Sequence, residues 1–154
     1  MKRFIYIFLL TISFIPFSCK SDDGISYEVK KVNNTVLSIN STTFLKTHFA
    51  PFSVKEVIQF EPQKPDGSLY EVNLNDQFLI DFDKMGNWTS IEKVGKNPLP
   101  KNVVHQSIHL YISKAYKDKL IEKINREKDG FIVELTNDID LKFNKNGEFV
   151  EHLP

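Results

Sequence analysis

Apolar residues recur at every second position in two stretches of this chain. In one they are Tyr70, Val72 and Leu74, then Phe78, Ile80 and Phe82; in the other they are Phe131, Val133 and Leu135, then Ile139, Leu141 and Phe143. A period of two sends alternate side chains to opposite faces of an extended chain, so each stretch predicts a pair of β-strands with one wet face. Asn75-Asp76 and Asn137-Asp138 punctuate the runs, and Asp83-Lys84-Met85-Gly86 and Asn144-Lys145-Asn146-Gly147 close them. These are residues that tolerate tight turns, glycine because it takes positive φ without cost.

The two stretches align without a gap, Tyr70 to Trp88 on Phe131 to Phe149, sixty-one residues apart. Val72/Val133, Leu74/Leu135, Phe82/Phe143, Lys84/Lys145 and Gly86/Gly147 are identical, and Tyr70/Phe131, Phe78/Ile139, Ile80/Leu141 and Trp88/Phe149 stay apolar. Self-similarity at a fixed offset reads as an internal duplication. Residues 54–60 and 120–125 lead each set and bring the expected count to four strands per copy.

A helical stretch precedes each set. Asn40-Ser41 can cap a short helix over residues 42–49 that Pro51 ends, and Leu99-Pro100-Lys101-Asn102 opens a longer one reaching about Tyr116. On the latter Val104, Ile108, Tyr111 and Ala115 form a stripe at roughly 100° per residue. The predicted fold class is therefore α+β and two-layer: a tandem repeat of two helix-plus-four-antiparallel-strand units, about 42–93 and 99–152, in one domain over 42–152.

The N-terminus follows another pattern. Lys2 and Arg3 precede an apolar run from Phe4 to Phe17, and Ser18 stands just before Cys19. As a helix that run rises about 21 Å, short of the ~30 Å hydrocarbon core, so residues 1–18 read as a secretory signal peptide. Cys19 is the chain's one cysteine, and its setting resembles a bacterial lipobox, which implies a diacylglycerol thioether on Cys19 of the mature protein. Residues 19–41, polar and rich in Ser, Asn and Asp, read as a lipid-anchored tether. Cys19-Lys20-Ser21-Asp22-Asp23 resembles the acidic export tag of some outer-membrane lipoproteins, so the expected location is exported, on the outer membrane, facing the periplasm or the cell surface. With no second cysteine there is no internal disulfide, and stability must come from a packed core.

Loss of Lys2 and Arg3 leaves 18 basic against 20 acidic residues. That balance offers no basic surplus for nucleic acid.

Helix followed by four strands, given twice, with Phe82-Asp-Lys-Met-Gly-Asn-Trp88 and Phe143-Asn-Lys-Asn-Gly-Glu-Phe149 closing the third strand, resembles the PepSY-like, beta-lactamase-inhibitor-like family of secreted Bacteroidetes lipoproteins. The resemblance covers about residues 42–152. It implies a two-layer α/β fold in which exchange of the closing strands between the halves, here Trp88 to Lys93 and Phe149 to His152, is left open, and it brings no catalytic residues.

Candidate chemistry is sparse. His105 and His109 stand one helical turn apart, the spacing of a zinc pair, but Gln106 replaces the general-base Glu and a third ligand is missing; an amphipathic boundary explains them better. Asp81, Asp83, Gly86 and Glu92 fall at positions of a calcium loop. Met85 at the fifth position, the strand flanks, and Lys142 and Leu153 at the corresponding ends of the second copy favour a plain turn. Phe44, Phe49, Phe52, Trp88 and Phe149 could line a ligand cage, although core packing is the commoner role. No nucleophile elbow or phosphate loop organises the polar residues. The expectation is a non-enzymatic protein-binding module without cofactor, inhibitor-like as the family resemblance implies, with a small-molecule or glycan-binding envelope protein as the rival.

Overall fold

The computed structural model describes residues 19–20 and 26–154. The predicted signal peptide, 1–18, and residues 21–25 of the tether lie outside the described residues.

The elements run in the order β1 (Cys19–Lys20), β2 (Ser26–Val32), α1 (Ile39–His48), β3 (Val54–Glu61), β4 (Tyr70–Leu74), β5 (Phe78–Phe82), β6 (Trp88–Lys93), α2 (Gln106–Ala115), β7 (Ile121–Glu127), β8 (Gly130–Leu135), β9 (Ile139–Asn144) and β10 (Phe149–His152). Each strand pairs antiparallel with the next in sequence, so β2 to β10 make one nine-stranded sheet, and two-residue β1 pairs with the start of β2.

What joins the sheet is a row of side chains at matching register. Val57, Val72, Ile80, Ile91, Ile124, Val133 and Leu141 stand opposite one another on seven successive strands, and none is more than 1% exposed. Branched side chains at cross-strand distance interlock on a pleated surface, and each removed from water contributes roughly 1.5–3 kcal/mol. Both helices lie on this face. Phe44 and Phe49 of α1 and its C-terminus meet Phe82 and Phe78 with ring centroids 5.9 and 5.1 Å apart, while Tyr111 of α2 meets Phe143 edge-on at 5.6 Å and stacks on Phe149 at 4.6 Å.

This architecture corrects the expected fold class. The molecule is one mostly-β antiparallel sheet with two ten-residue helices, not a tandem repeat of two helix-plus-four-strand units. The reason is the junction. Ile91 of β6 and Ile124 of β7 face each other, and pairing Ser90–Asn125 and Glu92–Lys123 on either side removes the two open edges that separate sheets would leave. The question of exchanged closing strands is answered by the pairing: β6 pairs with β5 and β10 with β9, each within its own half.

Residues 26–41, expected within the tether, hold β2, a single 3-10 turn (Asn34–Val36) and the start of α1. β2 is an edge strand with charged residues between its apolar ones, and it is fixed by main-chain pairing to β3 and by Lys30–Glu61 and Lys31–Glu56 ion pairs at 3.1 and 2.8 Å. Sparse apolar content hides such a strand from a periodicity search.

Both helix starts also differ from expectation. Ser38, not Asn40-Ser41, caps α1, its Oγ accepting the Ser41 N–H at 3.2 Å, while the Asn40 amide donates to the Met85 carbonyl at 3.0 Å. The second helix starts at Gln106 rather than near Asn102, because after one 3-10 turn (Lys101–Val103) the backbone is extended at Val104 and His105.

Candidate functional site

Alternation along the strands puts a second residue set on the face opposite the helices. Two rows cross it in register. One runs Ile58, Glu71, Asp81, Ser90, Asn125, Ile132, Lys142 and Glu151; the other runs Glu56, Asn73, Leu79, Glu92, Lys123, Glu134 and Asp140. Most of these side chains are half-buried by their neighbours, and Asp81 and Ser90 are buried.

At one end of this face the loop between β3 and β4 folds over the sheet. Lys64 sets its ammonium 3.9 Å from the centre of the Phe60 ring and 2.9 Å from an Asp81 oxygen, with Glu71 at 3.9 Å. The Ser68 and Thr89 hydroxyls, both buried, satisfy each other at 2.7 Å. Burial pushes the Asp81 carboxyl above its ordinary pKa in spite of Lys64, and burial together with the charge of Asp81 does the same to Glu71.

Further along, Lys123 pairs with Glu92 at 2.9 Å. Burial works against the Lys123 ammonium, yet the hydrogen bond and charge of Glu92, with Glu134 and Asp81 beyond, hold its pKa above the usual lysine value. Glu134 is raised, first by burial and then by Asp140. The result is a broad surface of alternating carboxylates and ammonium groups around three branched apolar residues, Ile58, Leu79 and Ile132. Nothing in it resembles a nucleophile with its base. What it offers is shape and paired charge.

The residues singled out in the sequence are scattered. Cys19 stands in β1 opposite Tyr27 of the edge strand β2. His105 is the α2 N-cap, its Nδ1 accepting the Ser107 N–H at 3.3 Å, whereas the His109 Nε2–H donates to the Lys101 carbonyl at 3.1 Å. The two imidazoles thus serve separate local tasks. Among the described residues no group of three or more His, Cys, Asp or Glu is placed to hold a metal ion. The calcium-like acids diverge as well: Asp81 pairs with Lys64, Asp83 accepts the N–H groups of Met85 and Asn87 at 2.8 and 2.9 Å within its turn, and Glu92 pairs with Lys123.

Phe44, Phe49, Phe52, Trp88 and Phe149 belong to the packed aromatic network on the helix-covered face, with Arg126 lying 4.1 Å over the Trp88 ring. Sequence reading missed Lys64, whose reach across the sheet depends on the fold of Pro62-Gln-Lys-Pro-Asp-Gly-Ser. It also missed an apolar hollow of about 390 Å³ beneath α1, lined by Leu37, Leu45, Phe52, Val54 and Leu74 with Lys46 at its rim.

A "calcium-regulated" candidate periplasmic protein of Bacteroides thetaiotaomicron is similar in structure, with a TM-score of 0.71 and 26% identity over 82% of this chain and 97% of that one. A candidate periplasmic protein of Bacteroides vulgatus gives 0.69 and 25% identity over 82% and 98%. A second from the same species, of unknown function, shares the fold at 0.71 with 21% identity over 83% and 99%. No curated protein matches the chain. The sequence profile of the beta-lactamase-inhibitor-like, PepSY-like family matches residues 68–151, more than half of the chain, spanning both copies of the alternating pattern and the β6–β7 junction between them. The chain belongs to the PepSY-like, beta-lactamase-inhibitor-like family.

Proposed function

We propose that this protein is an exported, periplasmic binding module that engages a protein partner with the helix-free face of its sheet, as an inhibitor-like ligand and not as an enzyme. The observation that carries the reading is the face itself. Nine strands at about 4.8 Å spacing span roughly 38 Å, and five residues of strand add about 17 Å, so the surface is on the order of 600 Å² before side-chain relief. A standard protein interface uses about 800 Å² per partner. The loop bearing Lys64 folds over one end of it. The family's name and the periplasmic descriptions of its structural relatives support the location and the class of partner.

Cys19 carries the lipid anchor in this reading, tying the module to the membrane while its recognition face stays free. Cys19→Ala moves the protein from the membrane to the soluble fraction; a variant that stays membrane-bound contradicts the anchor.

The recognition face is tested with Ile132→Glu, which adds a charge at one of the apolar positions of the surface, on β8, without touching the core. Wild-type mature protein, immobilised, retains a discrete protein from a Bacteroides periplasmic extract, and Ile132→Glu loses it with an unchanged melting temperature. Equal retention by wild type and variant, or retention of no protein above background, overturns the proposal.

A further inference from the structure

A second surface lies on the other side of the molecule. The chain enters it at Leu99, passes the 3-10 turn Lys101–Val103, and leaves the C-terminus of α2 through Tyr116-Lys117-Asp118-Lys119-Leu120. Between these segments and the helix are two adjoining hollows of about 660 and 220 Å³, which share Lys101, His109 and Ser113 in their walls. His109 holds them together: a carbonyl can only accept, so its Nε2 carries the hydrogen that binds the Lys101 carbonyl and pins the turn beside the helix.

The walls are apolar. Leu99, Val104, Ile112 and Tyr116 line the hollows, and Leu110 and Leu120 are left 62% and 54% exposed at their mouths. Apolar surface held in water costs about 25 cal/mol per Å², so an acyl chain laid along it is stabilised. The charged groups of the lining are Lys101, Lys117 and Lys119; neither hollow has an Asp or Glu in its lining. Lys30, Lys31, Lys55, Lys64, Lys93, Lys123 and Lys142 each stand within ion-pair distance of a carboxylate; among the described residues Lys101, Lys117 and Lys119, like Lys46, Lys84, Lys96, Lys114, Lys128 and Lys145, make no such pair. An apolar trough with three ammonium groups and no carboxylate in its lining complements one kind of molecule, a hydrocarbon chain ending in an anion.

We propose that the groove between α2 and the Leu99–Lys101 and Tyr116–Leu120 segments is a binding site for a medium-chain fatty acid, its carboxylate among Lys101, Lys117 and Lys119 and its chain over Leu120, Tyr116 and Leu110. The concave shape suits a single acyl chain rather than a flat bilayer. The site is on the helix side of the sheet, so it stands or falls separately from the recognition face proposed above.

The test uses the mature chain with Cys19→Ala, which leaves no acyl group of its own, labelled with 15N and titrated with decanoate below its micellar concentration. Saturable shifts are expected at the amides of Leu110, Ser113, Tyr116 and Leu120, with decyltrimethylammonium binding about tenfold more weakly, a difference of about 1.4 kcal/mol. Lys101→Glu/Lys117→Glu, at two exposed positions, weakens decanoate by at least about the same factor at an unchanged melting temperature. The proposal is overturned by shifts that do not saturate or map to another surface, by equal binding of the cationic amphiphile, or by a double variant that binds like wild type. Binding to phosphatidylglycerol vesicles with none to decanoate also overturns it and assigns the surface to the bilayer.

Discussion

Asp81 is buried opposite Ser90 on the helix-free face, ion-paired to Lys64. Burial outweighs that ion pair, so the folded protein holds the Asp81 proton more tightly than the unfolded chain, in which the carboxyl titrates near 3.8. The sign follows from linkage. A raised carboxyl pKa contributes most below the unfolded value, and the contribution is lost as pH climbs from there through the folded pKa. Glu71, raised by burial and by Asp81, adds to the same decline. Asp81→Asn keeps an acceptor for Lys64 and removes the titration, so urea midpoints measured from about pH 4 to pH 6 should fall less steeply than in wild type. An unchanged slope would place the decline in other carboxylates. Neither the burial of Asp81 nor its partner could be read in the sequence, where Asp81 falls at a calcium-loop position but reads as the edge of a plain turn.

The turn and helix that meet at Gly86 show how elements are fitted together. Gly86 has φ 84°, and a Cβ there would strike the Ser38 hydroxyl and come within 3.0 Å of the Ser41 nitrogen, at the N-terminus of α1. Gly147, at φ 74°, stands in the same relation to α2, where a Cβ would be 2.6 Å from His105 Nδ1. In both cases the glycine lets a β-turn press against a helix cap. Gly86→Ala forces a left-handed alanine and displaces the Ser38 cap; strain of about 1–3 kcal/mol together with about 1 kcal/mol for the cap predicts a loss near 3 kcal/mol, read by chemical denaturation. A loss under about 0.5 kcal/mol would mean that the cap is not engaged. That these glycines occupy turns was legible from Asp83-Lys84-Met85-Gly86 and Asn144-Lys145-Asn146-Gly147. That each turn meets a helix was not, because the two are separated by more than forty residues.

At the scale of the whole molecule, the core row from Val57 to Leu141 leaves no weak seam between the N-terminal and C-terminal strands. One folding unit should therefore melt once. Trp88 fluorescence, which reports β6, and far-UV circular dichroism, which reports the entire sheet, are expected to give coincident transitions. Ile91→Ala removes a fully buried side chain facing Ile124 and should cost about 2–5 kcal/mol while preserving that coincidence. Separate transitions in the wild type or in this variant would divide the sheet at β6–β7 after all. The same continuity gives the helix-free face its breadth, since two four-stranded sheets would each offer less than half of it.

Alternating residues such as Val72, Leu74, Ile80 and Phe82, with their counterparts Val133, Leu135, Leu141 and Phe143, determined by themselves where β4, β5, β8 and β9 run and which side chains are buried, because a period of two is a local property of extended backbone. The same pattern predicted turns at Asn75-Asp76 and Asn137-Asp138, where the backbone does adopt positive φ. Tertiary structure alone decided that the strands form one sheet, that β2 joins its edge, that Lys64 reaches Asp81, and that Lys101, Lys117 and Lys119 surround a hollow. Each of these depends on residues far apart in the chain, and pairing between Ile91 and Ile124 leaves no trace in the sequence around either one.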